Sequence, residues 1–241
     1  MMSLVAGHYY MIPARVLTVQ SKSMKLFGVI AFIILSTMFC QSEDLNVDKQ
    51  LKVALERHAN ANKEIAITFC NSGYVHYVLN WLSFVRDLEV SNYLIFALDA
   101  QAFRDLQAHN ANVFYDEALD KGKIERKLTD FGTDPFKKIV HLKPTLTLRV
   151  LEMGFSLLLS DADVVWFRNP FDCKEITRGH LSLMSDAHFG VAMGTADYFV
   201  NSGFAWMRPV PITLSFMQEV VRLLASRPDK MDQVLLLACT S

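Results

Sequence analysis

The chain has 241 residues, of which 51% are hydrophobic and 20% charged, and its formal net charge is -1. A chain of this length can bury the core of one α/β domain, and we predict one such domain behind an N-terminal extension. The composition excludes intrinsic disorder, and the balanced charge argues against a broad nucleic-acid-binding surface, so we expect no nucleic-acid partner.

An apolar stretch near the N-terminus, residues 24–40, reads MKLFGVIAFIILSTMFC. Its uncharged part has a length between that of a signal-peptide core and that of a short membrane span. Basic residues precede it and acidic residues follow it, which by the positive-inside tendency leaves residues 1–23 as a cytoplasmic tail. We therefore expect a signal-anchor or signal peptide at 24–40, with a buried core helix as the alternative, and a lumenal or secreted domain beyond it.

Residues 41–63 are polar, with Leu51, Leu55 and His58 at helical spacing, and we predict a short stem there, followed by the main domain at 64–241. Beyond the apolar stretch the chain has three cysteines, Cys70, Cys173 and Cys239. Their spacing fits no metal site, and one disulfide is compatible with an oxidising compartment.

From residue 64 the pattern alternates between strand and helix. Residues 64–70 (EIAITFC) and 93–98 predict strands, residues 112–114 a short third strand, and residues 75–85 and 100–109 helices. This order predicts a mostly parallel sheet with helices on both faces.

The middle of the chain begins with a charged stretch, residues 116–135, which lacks periodicity and predicts a surface loop bordering a substrate cleft. Residues 136–153 are helical in pattern, and Pro144 inside them either starts a second helix or kinks the first. Gly154 ends that pattern. We predict further strands at 156–167, 181–184 and 204–207, and a helix at 211–225 that proline opens.

Two aspartates interrupt an apolar run, SLLLSDADVVWF, at residues 156–167. Ligands of parallel α/β sheets bind at the carboxyl ends of strands, where Asp161 and Asp163 are predicted to lie. In an extended strand residues two apart face the same side, so both carboxylates could bind one Mg²⁺, Mn²⁺ or Ca²⁺ ion. The alternative is an exposed turn with two solvated aspartates.

Two classes of enzyme place such a pair after an apolar strand. The stretch resembles the signature of haloacid dehalogenase-like phosphatases, in which Asp161 would be the nucleophile and Asp163 the general acid/base. That class needs the pair on the first strand of its domain and a later acidic motif, whereas here at least two strands precede it and no such motif follows. The order of elements favours a metal-dependent glycosyltransferase of GT-A fold.

Four segments carry a more specific resemblance. In order they are ITFCNSGYVHYVLNWLSFVRDLEVSNYLIFALD, LEMGFSLLLSDADVVWFRNPF, VNSGFAWMRP and MDQ, between residues 65 and 233. They resemble successive motifs of the nucleotide-diphospho-sugar transferase domain family, which includes plant cell-wall arabinosyl-, xylosyl- and galactosyltransferases. The resemblance implies a Rossmann-like GT-A fold and retaining transfer from a UDP-sugar to a glycan or glycoprotein, with Mn²⁺ or Mg²⁺. It also implies a type II Golgi membrane protein, or a secreted one.

The resemblance further implies the roles of individual residues. Thr68, Asn71 and Gly73 would line the nucleotide pocket, and Asp99 would face the base or ribose. Asp161 and Asp163 would hold the metal, with Asp161 also next to the nucleotide. Asn201, Ser202 and Gly203 would lie near the donor sugar, where glycine lets the backbone approach a ligand. Asp232 and Gln233 would be the catalytic pair that contacts the transferred sugar or acceptor.

Each of these assignments has a structural alternative. Asn71 or Asp99 can cap the helix that follows it, Asp232 can cap a terminal helix, and residues 201–203 can form a turn. We expect Lys143 and Arg149 to lie on a helix surface rather than reach phosphate. The three tryptophans stand in apolar runs, and we expect them in the core.

The resemblance implies one more metal ligand, often a histidine, from a segment downstream of the region matched here. We therefore expect either a domain that is incomplete at its C-terminus or a metal whose coordination is completed by another group, such as water. The alternative function is that of a catalytically inactive lumenal relative that binds a nucleotide or glycan.

Overall fold

The computed structural model describes residues 46–120, 124, 126–129, 132–185, 200–230 and 232. The helices are α1 (46–58), α2 (Val75–Asp87), α3 (Ala100–Ala108), α4 (Glu117–Asp120), α5 (Asp134–Glu152), α6 (Lys174–Thr177) and α7 (Pro211–Ser226). The strands are β1 (Glu64–Cys70), β2 (Tyr93–Ala97), β3 (Val113–Tyr115), β4 (Ser156–Ser160), β5 (Leu181–Ser185) and β6 (Val200–Met207).

These strands form one sheet in the order β3-β2-β1-β4-β6-β5. β1 pairs in parallel with both β2 and β4, and β2 pairs in parallel with β3. β6 runs antiparallel to its neighbours β4 and β5. Five of the six described strands therefore share one direction, which confirms the prediction of a mostly parallel sheet flanked by helices.

Alternation along the strands separates two faces of the sheet. Ala66 and Cys70 of β1 and Ile95 of β2 pack in one cluster with Trp81 of α2 and Leu106 of α3. The intervening residues of β1 and β4 are equally buried on the opposite face, where Leu159 lines a pocket together with residues of α5 and α7. The sheet is thus covered on both faces, as continuous apolar strands require.

Pro144 lies inside a single helix, α5, so it does not start a second helix. Gly154 follows the helix with φ of 86°, a left-handed conformation that glycine adopts without steric cost, and it ends the helix as the sequence predicted.

The segment predicted as a stem is largely part of the domain. Residues 46–58 form α1, in which Leu51 and Leu55 are fully buried, and the compact unit of the chain begins at Asp48. Arg149 of α5 binds Asp48, with Nη2 at 2.7 Å from Oδ1. Residues 48–58 are therefore not a free stem, because Leu51 and Leu55 are buried in the domain and Asp48 is paired with Arg149.

The described residues of the charged stretch after β3 differ in part from the surface loop that was predicted. It contains α4, and Asp116, Asp120 and Ile124 within it are buried. Its charge pattern was misleading because two of its carboxylates have partners inside the fold: Arg149 binds Asp116, and the Tyr115 hydroxyl donates to Asp120.

Among the described helices, none is long and apolar enough to cross a membrane. The predicted tail at 1–23 and signal-anchor at 24–40 lie outside the described residues and stay predictions. Cys70 and Cys173 are free thiols, and Cys239 also lies outside the described part. Burial, followed by the nearby Asp99 carboxylate, raises the pKa of Cys70 well above its usual range.

Candidate active site

The aspartate pair lies directly after the central strand β4, which ends at Ser160. The strand is shorter than predicted, because the backbone turns at Asp161 and the amide of Val164 donates to the Asp161 carbonyl over 3.1 Å. The argument from extended geometry was therefore wrong, although the predicted position at the carboxyl end of a strand is correct. Asp163 is exposed and Asp161 is partly buried.

Ser160, which directly precedes the aspartate pair, is fully buried, and its hydroxyl takes part in three hydrogen bonds. Its hydroxyl oxygen accepts from the indole N–H of Trp81 at 3.2 Å and of Trp166 at 3.1 Å. The hydroxyl in turn donates to the Asp161 carbonyl at 3.3 Å. All three tryptophans are buried, as predicted, and Ser160 supplies the acceptor that two of them need inside the core.

Residues 201–203 lie in β6, not in a turn, and they form the wall beside Asp161. The Asp161 amide donates to the Gly203 carbonyl at 2.7 Å, and the Asn201 side-chain oxygen accepts from the Gly203 amide at 2.7 Å. A Cβ on Gly203 would lie 2.9 Å from Asn201 Oδ1 and 3.0 Å from Asp161 Oδ2. The close approach that this glycine permits is therefore that of the Asp161 carboxylate.

Lys143 of α5 reaches the same carboxylate, which corrects the expectation that it lies on a helix surface. Its Nζ is 2.5 Å from Asp161 Oδ1, and its side chain is 13% exposed. Burial favours the neutral amine, but the carboxylates of Asp161, Asp232 and Asp163 outweigh it, so the pKa of Lys143 is raised. The signal in the sequence was the helical spacing, because Val140 and Thr147, three residues before and four after, are both buried.

A pocket opens next to this ion pair, between α5, α7 and the sheet. Its lining is Lys143, Pro144, Thr147, Leu159, Leu183, Ser202, Ala205, Met207, Met217 and Asp232. The predicted catalytic aspartate Asp232, which is buried, and the predicted sugar-site residue Ser202 therefore line one pocket together with Lys143, the partner of Asp161. Gln233 lies outside the described residues.

The nucleotide-pocket assignments at the end of β1 and β2 fit less well. Asp99 is fully buried and accepts from the amides of Gln101, Ala102 and Ser72 at 2.9, 2.9 and 2.7 Å. It therefore caps α3 and ties the loop after β1 to β2, so the base or ribose contact is not what the geometry shows. Thr68 is also fully buried inside the sheet, and its hydroxyl has no hydrogen-bond partner among the described residues.

Residues 126–129 cover the loop that follows β1. The Ser72 hydroxyl donates to the Arg126 carbonyl at 3.0 Å, the Asn71 amide group to the Lys127 carbonyl at 3.3 Å, and the Tyr74 hydroxyl to the Thr129 carbonyl at 3.1 Å. Asn71 makes no side-chain capping bond, so the capping alternative was wrong for it.

Gly73 lies under the same segment. A Cβ on Gly73 would lie 2.3 Å from the Lys127 carbonyl carbon and 2.4 Å from the Leu128 nitrogen. This close approach is to protein backbone, and a nucleotide is not needed to explain the glycine.

Arg149, the other cation considered for phosphate, is bound elsewhere. Besides Asp48 it contacts the buried Asp116, with Nη1 at 3.3 Å from Oδ2. It connects α5 to α1 and to the end of β3, so the expected surface position is wrong for it, and it is not among the residues that line the pocket.

The donor set at the end of β4 is compatible with a hard divalent cation. Asp161 and Asp163 offer carboxylate oxygens, which Mg²⁺ and Mn²⁺ prefer, and Mg²⁺ is commonly held by one or two carboxylates plus substrate phosphates. Within the described part of the chain no group of three or more His, Cys, Asp or Glu side chains could hold a metal. Two carboxylates leave the remaining ligand positions of such a cation to other groups, such as phosphate or water.

Comparison with known proteins places this chain in a protein family. A family model described as nucleotide-diphospho-sugar transferase matches residues 88–239. A β-arabinofuranosyltransferase of Arabidopsis thaliana is 29% identical over 165 residues, which make up 68% of this chain and 30% of that protein. An arabinosyltransferase of the same plant is 28% identical over 208 residues, 79% of this chain and 47% of that protein.

A more distant relative comes from outside plants. A UDP-galactose:fucoside α-3-galactosyltransferase of Dictyostelium discoideum is 23% identical over 183 residues, 66% of this chain and 28% of that protein. The chain spans less than half the length of each of these three relatives, all of which are glycosyltransferases by name. Because the family model covers more than half of the chain, the chain belongs to the nucleotide-diphospho-sugar transferase family.

Proposed function

We propose that this chain transfers a sugar from a UDP-sugar to a glycan or glycoprotein acceptor, with Mn²⁺ or Mg²⁺ and with retention of anomeric configuration. The observation that carries the proposal is the convergence at the end of β4. Asp161, the Gly203 backbone, Lys143 and the pocket containing Ser202 and Asp232 meet at one place on the sheet. The strand order, with the candidate site at the carboxyl end of the parallel strand β4, fits a GT-A fold.

The roles follow from position and charge. Asp161 and Asp163 would hold the cation, which as a Lewis acid would neutralise negative charge on the departing nucleoside diphosphate. Gly203 and Asn201 keep the Asp161 carboxylate at the edge of β6. Asp232 would contact the transferred sugar from the far side of the pocket, and Gln233 would act beside it. The acceptor hydroxyl would enter on the face from which the diphosphate leaves, and electrostatic stabilisation would supply most of the rate.

Two rival functions differ in their support. The phosphatase alternative requires the aspartates on the first strand of the domain, whereas they follow the fourth of the described strands. The inactive, nucleotide- or glycan-binding relative is favoured by one observation, that the described residues offer two carboxylates and no third metal ligand of the His, Cys, Asp or Glu type.

Substitution of Asp163 tests the proposal. Because the side chain is exposed, Asp163→Asn should leave the thermal midpoint unchanged, yet abolish Mn²⁺-dependent UDP binding and Mn²⁺-dependent turnover of UDP-sugars. Asp172→Asn, at another exposed aspartate, is the matched control and should keep both properties. Unchanged metal-dependent turnover in Asp163→Asn would refute the metal assignment. Mn²⁺-dependent UDP binding without turnover of any UDP-sugar would favour the inactive relative.

The donor can be identified by stability. A UDP-sugar that binds the native state raises the apparent stability by mass action, by about 2.7 kcal/mol at a hundredfold excess over its Kd. A screen of nucleotide sugars with Mn²⁺ should therefore show one donor with the largest shift in thermal midpoint. The same screen on Asp163→Asn should show no metal-dependent shift.

We also propose that residues 24–40 anchor the protein in the Golgi membrane as a type II protein, with the transferase domain in the lumen. The support is the charge asymmetry around this apolar stretch. Full-length protein should resist alkaline extraction from membranes and be protected from protease in sealed vesicles. Release by carbonate would favour a cleaved signal peptide and secretion.

A further inference from the structure

One ion pair in the candidate site involves an atom that the proposed chemistry needs. Lys143 Nζ lies 2.5 Å from Asp161 Oδ1, and the two side chains are 13% and 31% exposed. Asp161 Oδ2 lies against the edge of β6, where a Cβ on Gly203 would approach it to 3.0 Å. The ammonium therefore occupies the side of the carboxylate that faces α5, and a cation placed there would meet a like charge at short range.

The carboxylates around Lys143 give a physical reason for a lysine at this position. The carboxylates of Asp161, Asp163 and Asp232 all act on Lys143, and together with its ammonium they carry a formal charge of about -2. One divalent cation would neutralise that charge. Lys143 is the only cationic side chain among the described residues that line the pocket, since Arg149 is held by Asp48 and Asp116. Among the described residues that line the pocket, Lys143 is therefore the one that could pair with a diphosphate oxygen.

We propose that Lys143 is an exchange residue that couples metal binding to nucleotide binding. Without a donor its ammonium neutralises Asp161, and when metal and nucleoside diphosphate bind together it releases Oδ1 and moves to a diphosphate oxygen. This inference rests on the proposed function of the site. Lys143 would then bind the donor when metal and nucleotide are both present, and it would compete with the metal for Asp161 when no nucleotide is present. Because coupling between two ligands is reciprocal, UDP should strengthen Mn²⁺ binding as much as Mn²⁺ strengthens UDP binding.

The test measures binding rather than turnover. Mn²⁺ affinity is measured by electron paramagnetic resonance with and without UDP, and UDP affinity by calorimetry at saturating Mn²⁺, on wild type and Lys143→Met. Methionine keeps the length of the buried aliphatic chain and removes the charge. Lys143→Met should bind Mn²⁺ alone at least about tenfold more tightly, and UDP with Mn²⁺ at least about tenfold more weakly.

Two further variants separate charge from structure. Lys143→Arg keeps the positive charge and should bind Mn²⁺ alone as weakly as wild type, while its UDP affinity with Mn²⁺ stays within about threefold of wild type. Lys138→Met removes an exposed lysine from the same helix and should change neither affinity. Thermal midpoints of all variants show whether a change in affinity is accompanied by loss of folding.

The outcomes distinguish the two proposals. If wild type binds UDP in a Mn²⁺-dependent way and Lys143→Met binds Mn²⁺ alone no more tightly than wild type, the exchange role is overturned and the proposed function stands. Unchanged UDP affinity in Lys143→Met overturns it in the same way. If wild type shows no Mn²⁺-dependent UDP binding, the proposed function itself fails, and the exchange role with it.

Discussion

The amide of Asp161 donates to the carbonyl of Gly203 over 2.7 Å, which extends the pairing of β4 and β6 by one residue past the end of β4. The first residue of the candidate metal pair is therefore fixed by the backbone of a strand 42 positions later in the chain. The Asp161 carboxylate then lies between two neighbours, with Lys143 on one side and the Cα of Gly203, which has no side chain, on the other.

Gly203→Ala tests this placement. The new methyl group would lie 3.0 Å from Asp161 Oδ2 and 2.9 Å from Asn201 Oδ1, so one of these side chains must move. We expect Mn²⁺-dependent UDP affinity to fall at least about tenfold, which corresponds to ~1.4 kcal/mol, with a smaller loss of folding stability. Isothermal titration calorimetry with UDP and Mn²⁺ measures the first and urea unfolding the second.

Gly179→Ala is the matched control. Its Cβ would lie 3.1 Å from the Ser182 hydroxyl, and its other nearest atoms belong to Leu181 rather than to the aspartate pair, so UDP affinity should not change. An unchanged UDP affinity in Gly203→Ala would mean that the position of the Asp161 carboxylate does not matter for binding.

Ser160→Ala should cost stability through the two indoles that it leaves without an acceptor. Trp81 and Trp166 are both buried, and each donates its N–H to the Ser160 hydroxyl. A buried donor without an acceptor costs about 1–3 kcal/mol, so we expect a loss of about 2–4 kcal/mol in the free energy of unfolding. Urea unfolding measures it.

Ser83→Ala serves as the control for serine truncation, because its hydroxyl bonds to the Asn80 carbonyl at an exposed position. Its effect should stay within about 0.5 kcal/mol. If the two serine variants were equally stable, the indole bonds would contribute nothing measurable to folding.

The order of elements could be predicted because it depends on local patterns. Residues 64–70 are a continuous apolar run, which only a central parallel strand buries on both faces, and Gly154 and Pro211 mark helix boundaries. The position of Asp161 after such a strand followed from the same patterns. The end of the strand did not, since the turn at Asp161 is set by the Gly203 carbonyl and by Val164.

The contacts that could not be predicted from the sequence are those between segments that lie far apart along the chain. Lys143 is expected at the surface until α5 is packed beside β4, and Gly73 is expected to line a nucleotide pocket until residues 127 and 128 are placed over it. Asp99 was assigned to a ligand by resemblance, whereas its carboxylate accepts hydrogen bonds from three backbone amides.

Asp99 should therefore behave as a structural residue. Asp99→Ala removes the acceptor of three amides, and we expect a loss of about 2–4 kcal/mol in the free energy of unfolding. Asp99→Asn keeps the oxygen that caps α3 and loses the bond from the Ser72 amide, so it should cost about half as much. Urea unfolding of both variants provides the comparison. A fully stable Asp99→Asn that has lost UDP affinity would instead support the base or ribose contact.

Gly73→Ala should displace residues 126–129 from the loop after β1. Its Cβ would lie 2.3 Å from the Lys127 carbonyl carbon, and backbone atoms cannot rotate away as a side chain can. We expect a loss of about 1–3 kcal/mol, as for other overpacked sites, and faster tryptic cleavage after Arg126 and Lys127. Ser72→Ala, which deletes a single exposed hydrogen bond to the Arg126 carbonyl, should have a much smaller effect on both. Equal cleavage rates in wild type and Gly73→Ala would argue against this contact.

Tyr115 should make folding stability depend on alkaline pH. Burial, followed by its hydrogen bond to Asp120 at 3.1 Å and the charge of that carboxylate, raises the pKa of Tyr115 to about 12. The unfolded chain releases this proton near pH 10, whereas the folded chain keeps it, so folded protein holds more protons between about pH 10 and pH 12. The contribution is fully present below pH 10, falls as pH rises through this window, and changes no further above it.

The measurement is the urea midpoint as a function of pH for wild type and two variants. Tyr115→Phe cannot ionise, so its midpoint should fall less steeply with pH above about pH 10 than that of wild type. Tyr77→Phe, at an exposed tyrosine, should keep the wild-type slope. A Tyr115→Phe slope equal to that of wild type would show that the phenol ionises alike in the folded and unfolded chains, and the bond to Asp120 would then give no preference for the protonated form.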